Sequence, residues 1–192
     1  IEDNRIQTIW HELKQSAELE KRRGEISAWN AAHPHHKRGL AMTPVKFGIS
    51  FTVTHLNQAG ALVLIYQDGT VQLNHGGTEM GQGLHTNVAM IAAKELGVKL
   101  EHIRVMTTST DKVPNTSATA ASAGTDLNGG AVKNACEILR ERLAPIAQAM
   151  LKEKLGSEPK LENILFANGE VFDSTVPQAK LTFAQVAQKA YF

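Results

Sequence analysis

Near the start of the chain, apolar residues recur every three or four positions. Ile6, Ile9, Trp10, Leu13 and Ala17 share one face of a helical projection and charged residues occupy the other, so residues 4–32 are expected to form a helix. His33-Pro34 ends it, because proline disfavours the helical region in the residue before it. The pattern then changes. Residues 45–54 and 61–67 are rich in β-branched and aromatic side chains, and Asp68-Gly69 joins the second run to 70–75 as a hairpin. A helix is expected over 83–96, stopped by Gly97 at its C-terminal cap. A short strand follows at 102–107, and then a long helix over 125–154. Along it Val132, Ala135, Cys136, Leu139, Leu143, Ile146, Ala147 and Met150 form one apolar stripe that reads as core. Ile164–Phe166 and Glu170–Phe172 flank Asn168-Gly169, a second hairpin signal. Thr182 with Gln185 makes a capping box, and Leu181 with Val186 a hydrophobic staple, opening a last helix. There is no internal repeat. The expected class is α+β, mixed sheet segments with packed helices. Its expected parts are a helical lead-in (1–37), a core carrying two unusual loops (38–155), and a hairpin plus helix (156–192).

The two loops hold the candidate chemistry. The run from His75 to Thr86 places four glycines and a carboxamide between a β-rich segment and a helix-forming one. Glycine lets backbone amides approach a ligand, and a turn opening onto a helix can hold an anion. The common phosphate fingerprints are missing: no Lys-Ser/Thr pair follows the glycines, and the spacing is not G-x-G-x-x-G. Gln82 is the most versatile side chain here, since a carboxamide both donates and accepts. Glu79 reads as a structural carboxylate that satisfies loop amides, and His75 and His85 as structural imidazoles. The second loop, 107–125, is dominated by hydroxyl and small side chains before a helix. It reads either as a flexible linker or as a nest for a phosphate.

Composition narrows the function classes. The 192 residues are 42% hydrophobic and 20% charged, with a net charge of +1, which gives no electrostatic case for nucleic acid or an acidic membrane surface. No apolar run approaches the roughly 20 residues of a membrane span, and no signal peptide is visible. The lone Cys136 cannot form an internal disulfide and reads as a buried thiol. The His33/His35/His36 cluster lacks a second group at ligand spacing and reads as a solvated helix end. A cytoplasmic setting is the expectation. Ile1 at one end and Phe192 inside a helical pattern at the other suggest a piece of a longer polypeptide.

Several ordered blocks carry a resemblance. Ser50-Phe51-Thr52-Val53, Leu56-Asn57-Gln58-Ala59-Gly60-Ala61, the whole His75–Thr86 run, Val113-Pro114-Asn115-Thr116-Ser117, Thr119-Ala120-Ala121-Ser122 and Asp126-Leu127-Asn128-Gly129 all fit one pattern. Gly48 to Leu143 resembles the molybdenum-cofactor domain of the xanthine dehydrogenase/xanthine oxidase family. Aldehyde oxidases of that superfamily tend to carry a glycine-rich variant where this chain has Thr-Ala-Ala-Ser, which favours the xanthine branch.

The resemblance implies roles. Gln82, with Gly81 and Gly83, contacts the pterin–molybdenum unit. The Ala121 backbone lies next to the molybdenum. Thr119, Ala120, Ser122, Ala123, Gly124 and Thr125 wrap the pterin and its phosphate. Phe51 packs on a flat purine substrate and Thr52 hydrogen-bonds it, with Ala120 and Ala121 completing that pocket; from periodicity alone Phe51 is equally a core strand residue. Asn57 and Gln58 are expected to be structural turn residues. The pterin, not the protein, ligates the metal. The general-base glutamate lies outside this chain, which is expected to have no turnover alone. The parent enzyme would oxidise hypoxanthine and xanthine, and pass electrons through 2Fe-2S clusters and FAD to NAD or oxygen. One cysteine cannot hold a Cys₄ cluster, so those centres belong to other domains or subunits, together with the remaining molybdenum-domain segments, in an oligomeric parent. The alternatives are an aldehyde oxidase-type fragment, a binding module for a phosphorylated ligand, and a structural fragment whose loops order only with partners.

Overall fold

The computed structural model describes residues 2–112 and 116–192; the Val113-Pro114-Asn115 part of the family pattern lies outside them. Two compact units divide the chain, residues 1–48 and 49–192.

The first unit is helical, but the expected single helix is two. α1 (Ile6–Ser16) and α2 (Leu19–Ala32) are separated where Glu18 takes a left-handed φ of 48°. Glycine or proline would have announced such a break; Glu18 does neither. Beyond α2 the chain folds back. The His33 ring stacks on Trp29 with centroids 3.9 Å apart, and the Arg38 guanidinium lies 4.1 Å from the Trp29 ring centre. The Asn30 carboxamide donates to the Arg38 carbonyl at 2.9 Å and accepts its amide at 2.8 Å.

The second unit carries two three-stranded sheets. In the first, β1 (Ala61–Ile65) and β2 (Val71–His75) form the expected hairpin, with Ala61 opposite His75 and Ile65 opposite Val71. β3 (Ile103–Val105) joins β2 in parallel. A parallel neighbour requires a crossover, and α3 (Leu84–Leu96) supplies it. α4 (Gly124–Leu155) packs against α3 and β1. β4 (Ile164–Ala167), β5 (Glu170–Asp173) and β6 (Lys180–Thr182) form the second sheet, antiparallel throughout, and α5 (Phe183–Ala190) closes the unit. Leu73, Leu84, Leu96, Val132 and Leu151 are fully buried between these layers, and the apolar stripe of α4 packs there as expected. Burial pushes the Cys136 thiol up to about 12, so it stays protonated.

The parallel pairing fixes where the loops go. β2 and β3 run the same way, so the glycine turn after β2 and the loop after β3 leave from the same edge of the sheet. Open sheets place ligands at such edges. Each loop then opens onto a helix, α3 or α4.

Two expectations change. Residues 45–54 form no strand; Asn57 takes the place of a strand partner, accepting the Phe51 amide at 2.8 Å and donating to the Phe51 carbonyl at 2.7 Å, before a 3₁₀ turn at Thr54–Leu56. β6 is a strand the pattern did not announce, because its three residues are too few to show an alternation. Among the described residues, no helix is long and apolar enough to cross a membrane.

The Thr182 capping box is present, its hydroxyl accepting the Gln185 amide at 3.1 Å while Gln185 accepts the Thr182 amide at 2.8 Å. Thr182→Ala is expected to cost about 1 kcal/mol. Leu73→Ala, at a site with no exposed surface, is expected to cost about 2–5 kcal/mol. Urea denaturation of the two variants checks the ranking.

Candidate functional site

The glycine turn is built by three side chains. Glu79 Oε1 accepts the amides of Gly81 at 2.9 Å and Gly83 at 3.0 Å, and its Oε2 accepts the His85 amide at 3.0 Å. This is the structural role expected of it. The carboxylate also neutralises the positive end of α3. These amides, that of His85 first, hold its carboxyl below the usual carboxylate range. Gln82 folds onto the same turn, accepting the Met80 amide at 2.6 Å and donating to the Thr78 carbonyl at 2.9 Å. His75, only 2% exposed at the end of β2, is the third. Its Nδ1 accepts the Gly77 amide at 3.1 Å. The neutral ring therefore carries its proton on Nε2, which donates to His85 Nδ1 at 3.0 Å. Both ring nitrogens of His75 are thus engaged within the fold. Burial above all, with the neighbouring His85, lowers His75 to about 4.

The four glycines divide into two pairs. A Cβ on Gly76 would meet Thr116 within 2.2 Å, and one on Gly77 would meet Leu84 within 2.5 Å, so these two permit close packing. Gly81 and Gly83 have φ of +95° and +79°, and a Cβ on either would meet nothing within 4 Å. Their backbone is the open wall of the turn.

The second loop closes on the first. The Thr78 amide donates to Thr119 Oγ1 at 2.8 Å, Thr108 Oγ1 donates to the Gly77 carbonyl at 2.7 Å, and Asn87 donates to Thr125 Oγ1 at 3.2 Å. The Ser50 amide reaches the Ala121 carbonyl at 2.9 Å. Ala121 and Ser122 are both in left-handed backbone, at φ 54° and 52°, a strain of about 1–2 kcal/mol per residue that surrounding contacts must hold. No side chain caps α4, and among the described residues the amides of Gly124, Thr125 and Asp126 have no acceptor.

Between the loops lies a cavity of about 410 Å³. Of the expected site residues, Gln82, Thr119, Ala120, Ser122, Gly124 and Thr125 line it. Gly81 and Gly83 flank Gln82, Ala123 is buried as the residue preceding α4, and Ala121 is tied to Ser50. Met80 and Leu84 also line the cavity and were missed, because an exposed methionine and a core leucine carry no chemical signal. Phe51 and Thr52 do not line it. Phe51 is half-buried and Thr52 exposed, placed beside Ala121 only through Ser50 and Asn57.

The family model for the molybdopterin cofactor-binding domain matches residues 12–192. The chain belongs to the molybdopterin cofactor-binding domain family. Among relatives of this molybdopterin-binding chain, the xanthine dehydrogenase of Blastobotrys adeninivorans is 50% identical over 166 residues, 86% of this chain and 12% of that protein. The xanthine dehydrogenase of Drosophila pseudoobscura pseudoobscura is 56% identical over 138 residues, 72% of this chain and 10% of that protein. The chain thus spans about a tenth of the length of these curated relatives. The crystal structure of quinoline 2-oxidoreductase from Pseudomonas putida 86 superimposes with a TM-score of 0.63 at 30% identity, over 70% of this chain and 16% of that one. The α+β class is that of these molybdopterin-binding folds.

The residues present fit the cofactor. The cavity wall is Gly124, Ala120, the hydroxyls of Thr119, Ser122 and Thr125, the Gln82 carboxamide and the apolar Met80 and Leu84, with no charged group. Free amides at the start of α4 suit an anionic phosphate. Among the described residues, no group of three or more His, Cys, Asp and Glu side chains is placed to hold a metal, so this donor set suits a group that brings its own metal ligands.

The His75 shift gives stability a pH dependence of definite sign. The unfolded chain protonates His75 near 6.5 and the folded chain only near 4, so stability is fully present above about 6.5 and falls as pH drops towards about 4. Urea denaturation of wild type and His75→Asn at about pH 7 and about pH 4.5 checks this, with the smaller decline expected in the variant. Glu79→Gln is expected to speed hydrogen exchange at the Gly81, Gly83 and His85 amides while leaving β5 unchanged.

Proposed function

We propose that this chain forms part of a molybdenum hydroxylase that oxidises hypoxanthine and xanthine to urate. The observation that carries the reading is the joint cavity of the two loops, in a chain about half identical to xanthine dehydrogenases. Bound there, the molybdenum–pterin group supplies two-electron oxidation of an electron-poor ring carbon. The chain's own residues position it. Gln82 and the Gly81 and Gly83 backbone face the pterin–molybdenum unit, Thr119, Ala120, Ser122, Ala123, Gly124 and Thr125 wrap the pterin and its phosphate, and the Ala121 backbone lies beside the metal. A small residue at 121 would leave room for substrate beside the bound group. Phe51 supplies an aromatic face to the purine, worth about 0.5–1.5 kcal/mol beyond area burial, and Thr52 a hydroxyl.

The general-base glutamate, the 2Fe-2S clusters, FAD and the remaining molybdenum-domain segments lie elsewhere in the parent, with NAD or oxygen as the terminal acceptor. The reading carries with it a cytoplasmic setting, an oligomeric parent, and no turnover by residues 1–192 alone. Thr119-Ala120-Ala121-Ser122 in place of a glycine-rich variant favours the xanthine reading over an aldehyde oxidase one.

The test is made on the full-length parent: molybdenum by elemental analysis, and xanthine-dependent reduction of NAD or a dye. Both are expected, and Gln82→Ala is expected to lower kcat/KM roughly a hundredfold. Molybdenum without xanthine turnover would mean a hydroxylase of other specificity. No molybdenum would overturn the reading in favour of a phosphorylated-ligand module.

A further inference from the structure

Among the described residues, six other than glycine hold a left-handed φ, and three of them meet at one place. Ser50 has φ 75°, and its amide donates to the carbonyl of Ala121, which has φ 54° and is followed by Ser122 at 52°. Such backbone persists only where surrounding bonds impose it, and it concentrates at functional sites. The segment 50–58 is fastened to the second loop at both ends. The Ser50 amide reaches the Ala121 carbonyl at 2.9 Å, and the Ser117 amide reaches the Gln58 carbonyl at 3.2 Å.

Between these fastenings the segment is braced by one side chain. The Leu56 amide donates to the Val53 carbonyl and the Asn57 amide to the Thr54 carbonyl, both at 3.0 Å, closing the 3₁₀ turn. The turn brings the half-buried Asn57 back onto Phe51. Its Oδ1 accepts the Phe51 amide at 2.8 Å and its Nδ2 donates to the Phe51 carbonyl at 2.7 Å. A carboxamide suits this double task, because it presents an acceptor and a donor in one plane; a carboxylate has no donor. The two bonds hold the peptide planes on either side of the Phe51 Cα. They thereby fix its φ and ψ, the direction of its Cα–Cβ bond and the rotamers open to its ring. Since Phe51 directly follows Ser50, the ring is aimed from a point anchored on Ala121.

We propose that Asn57 is a positioning residue for the substrate, setting through its carboxamide the angle at which the Phe51 ring meets the purine. The inference rests on the reading of Phe51 as the aromatic face for that purine. Stacking depends on the offset and tilt of the two rings, so an unbraced Phe51 binds a flat substrate less well. Asn57 does not line the cofactor cavity, and both end fastenings are backbone bonds that survive its replacement. Its loss therefore acts on binding of the purine and leaves the cofactor and the step after binding unchanged, which is a change in KM without one in kcat.

Steady-state kinetics of the full-length parent with xanthine test it, together with the pterin-to-protein ratio and hydrogen exchange at the Phe51 amide. Asn57→Ala is expected to raise KM between about twofold and about tenfold, the range that stacking accounts for, with kcat within about twofold of wild type. Exchange at the Phe51 amide is expected to rise by about tenfold or more, at unchanged pterin content. Phe51→Ala is expected to raise KM at least as far. Adding Asn57→Ala to it is expected to change KM no further, because the ring through which Asn57 acts is gone. Asn57→Asp, of nearly the same shape, keeps the acceptor and loses the donor. It is expected to raise KM with the Phe51 amide still protected, and it carries the test if Asn57→Ala does not fold. The proposal is overturned if Phe51→Ala raises KM while Asn57→Ala and Asn57→Asp do not. It is overturned equally if the two effects multiply in the double variant, or if Asn57→Ala loses pterin, either of which makes Asn57 a structural brace alone. A Phe51→Ala enzyme with wild-type KM overturns the reading of Phe51 itself, and this inference with it.

Discussion

The site depends on the joining of two loops far apart in sequence: the Thr78 amide donates to the Thr119 hydroxyl, the Thr108 hydroxyl to the Gly77 carbonyl, and Asn87 to the Thr125 hydroxyl. Joined in this way, the glycine turn and the start of α4 enclose a cavity. The parallel pairing of β2 and β3 makes the contact possible, since it sends both loops off the same end of the sheet. The helices then divide the work. Glu79 accepts the Gly83 and His85 amides at the entry to α3 and the Gly81 amide in the turn before it. α4 begins with no cap, and its first amides remain available to a ligand.

The chemistry of the wall fits the cofactor of the family to which the chain belongs. A cofactor with its own metal ligands and its own charge needs neither a cluster of protein ligands nor a charged lining. It needs backbone that comes close, hydroxyls that adapt, and little bulk. In the cavity wall Ala120 and Gly124 bring little bulk, Thr119, Ser122 and Thr125 bring hydroxyls, and Met80 and Leu84 add two larger apolar side chains. The strain at Ala121 and Ser122 sits between the cavity-lining Ala120 and the start of α4, and the Ser50 amide on the Ala121 carbonyl helps to hold it.

Much of this was legible in the sequence because the local signals agreed with the global fold. Asp68-Gly69, Asn168-Gly169, Gly97 and the Thr182/Gln185 box each specify a turn or a cap by their own chemistry, and each appears where expected. The glycine run and the hydroxyl-rich loop were readable as one candidate site, and residues of both line a single cavity, while Glu79 was readable as the acceptor for its loop amides. The rest depended on tertiary contacts. The break at Glu18 uses a residue that carries no breaking signal. Residues 45–54 have strand composition, but Asn57 takes the Phe51 backbone groups that a neighbouring strand would have used. That the Gln82 carboxamide would close its own turn on Met80 and Thr78 was invisible, because the same side chain is equally suited to a ligand.

The central claim is that the two loops form one cofactor cradle, held in part by Thr119 accepting the Thr78 amide. The most direct measurement is the pterin-to-protein ratio of the full-length parent carrying Thr119→Val, which keeps the shape and removes the acceptor. The account predicts that the variant folds, shown by unchanged exchange in the β4–β5 hairpin, and is purified with clearly less pterin than wild type. A Thr119→Val enzyme that retains its full complement of pterin would contradict it.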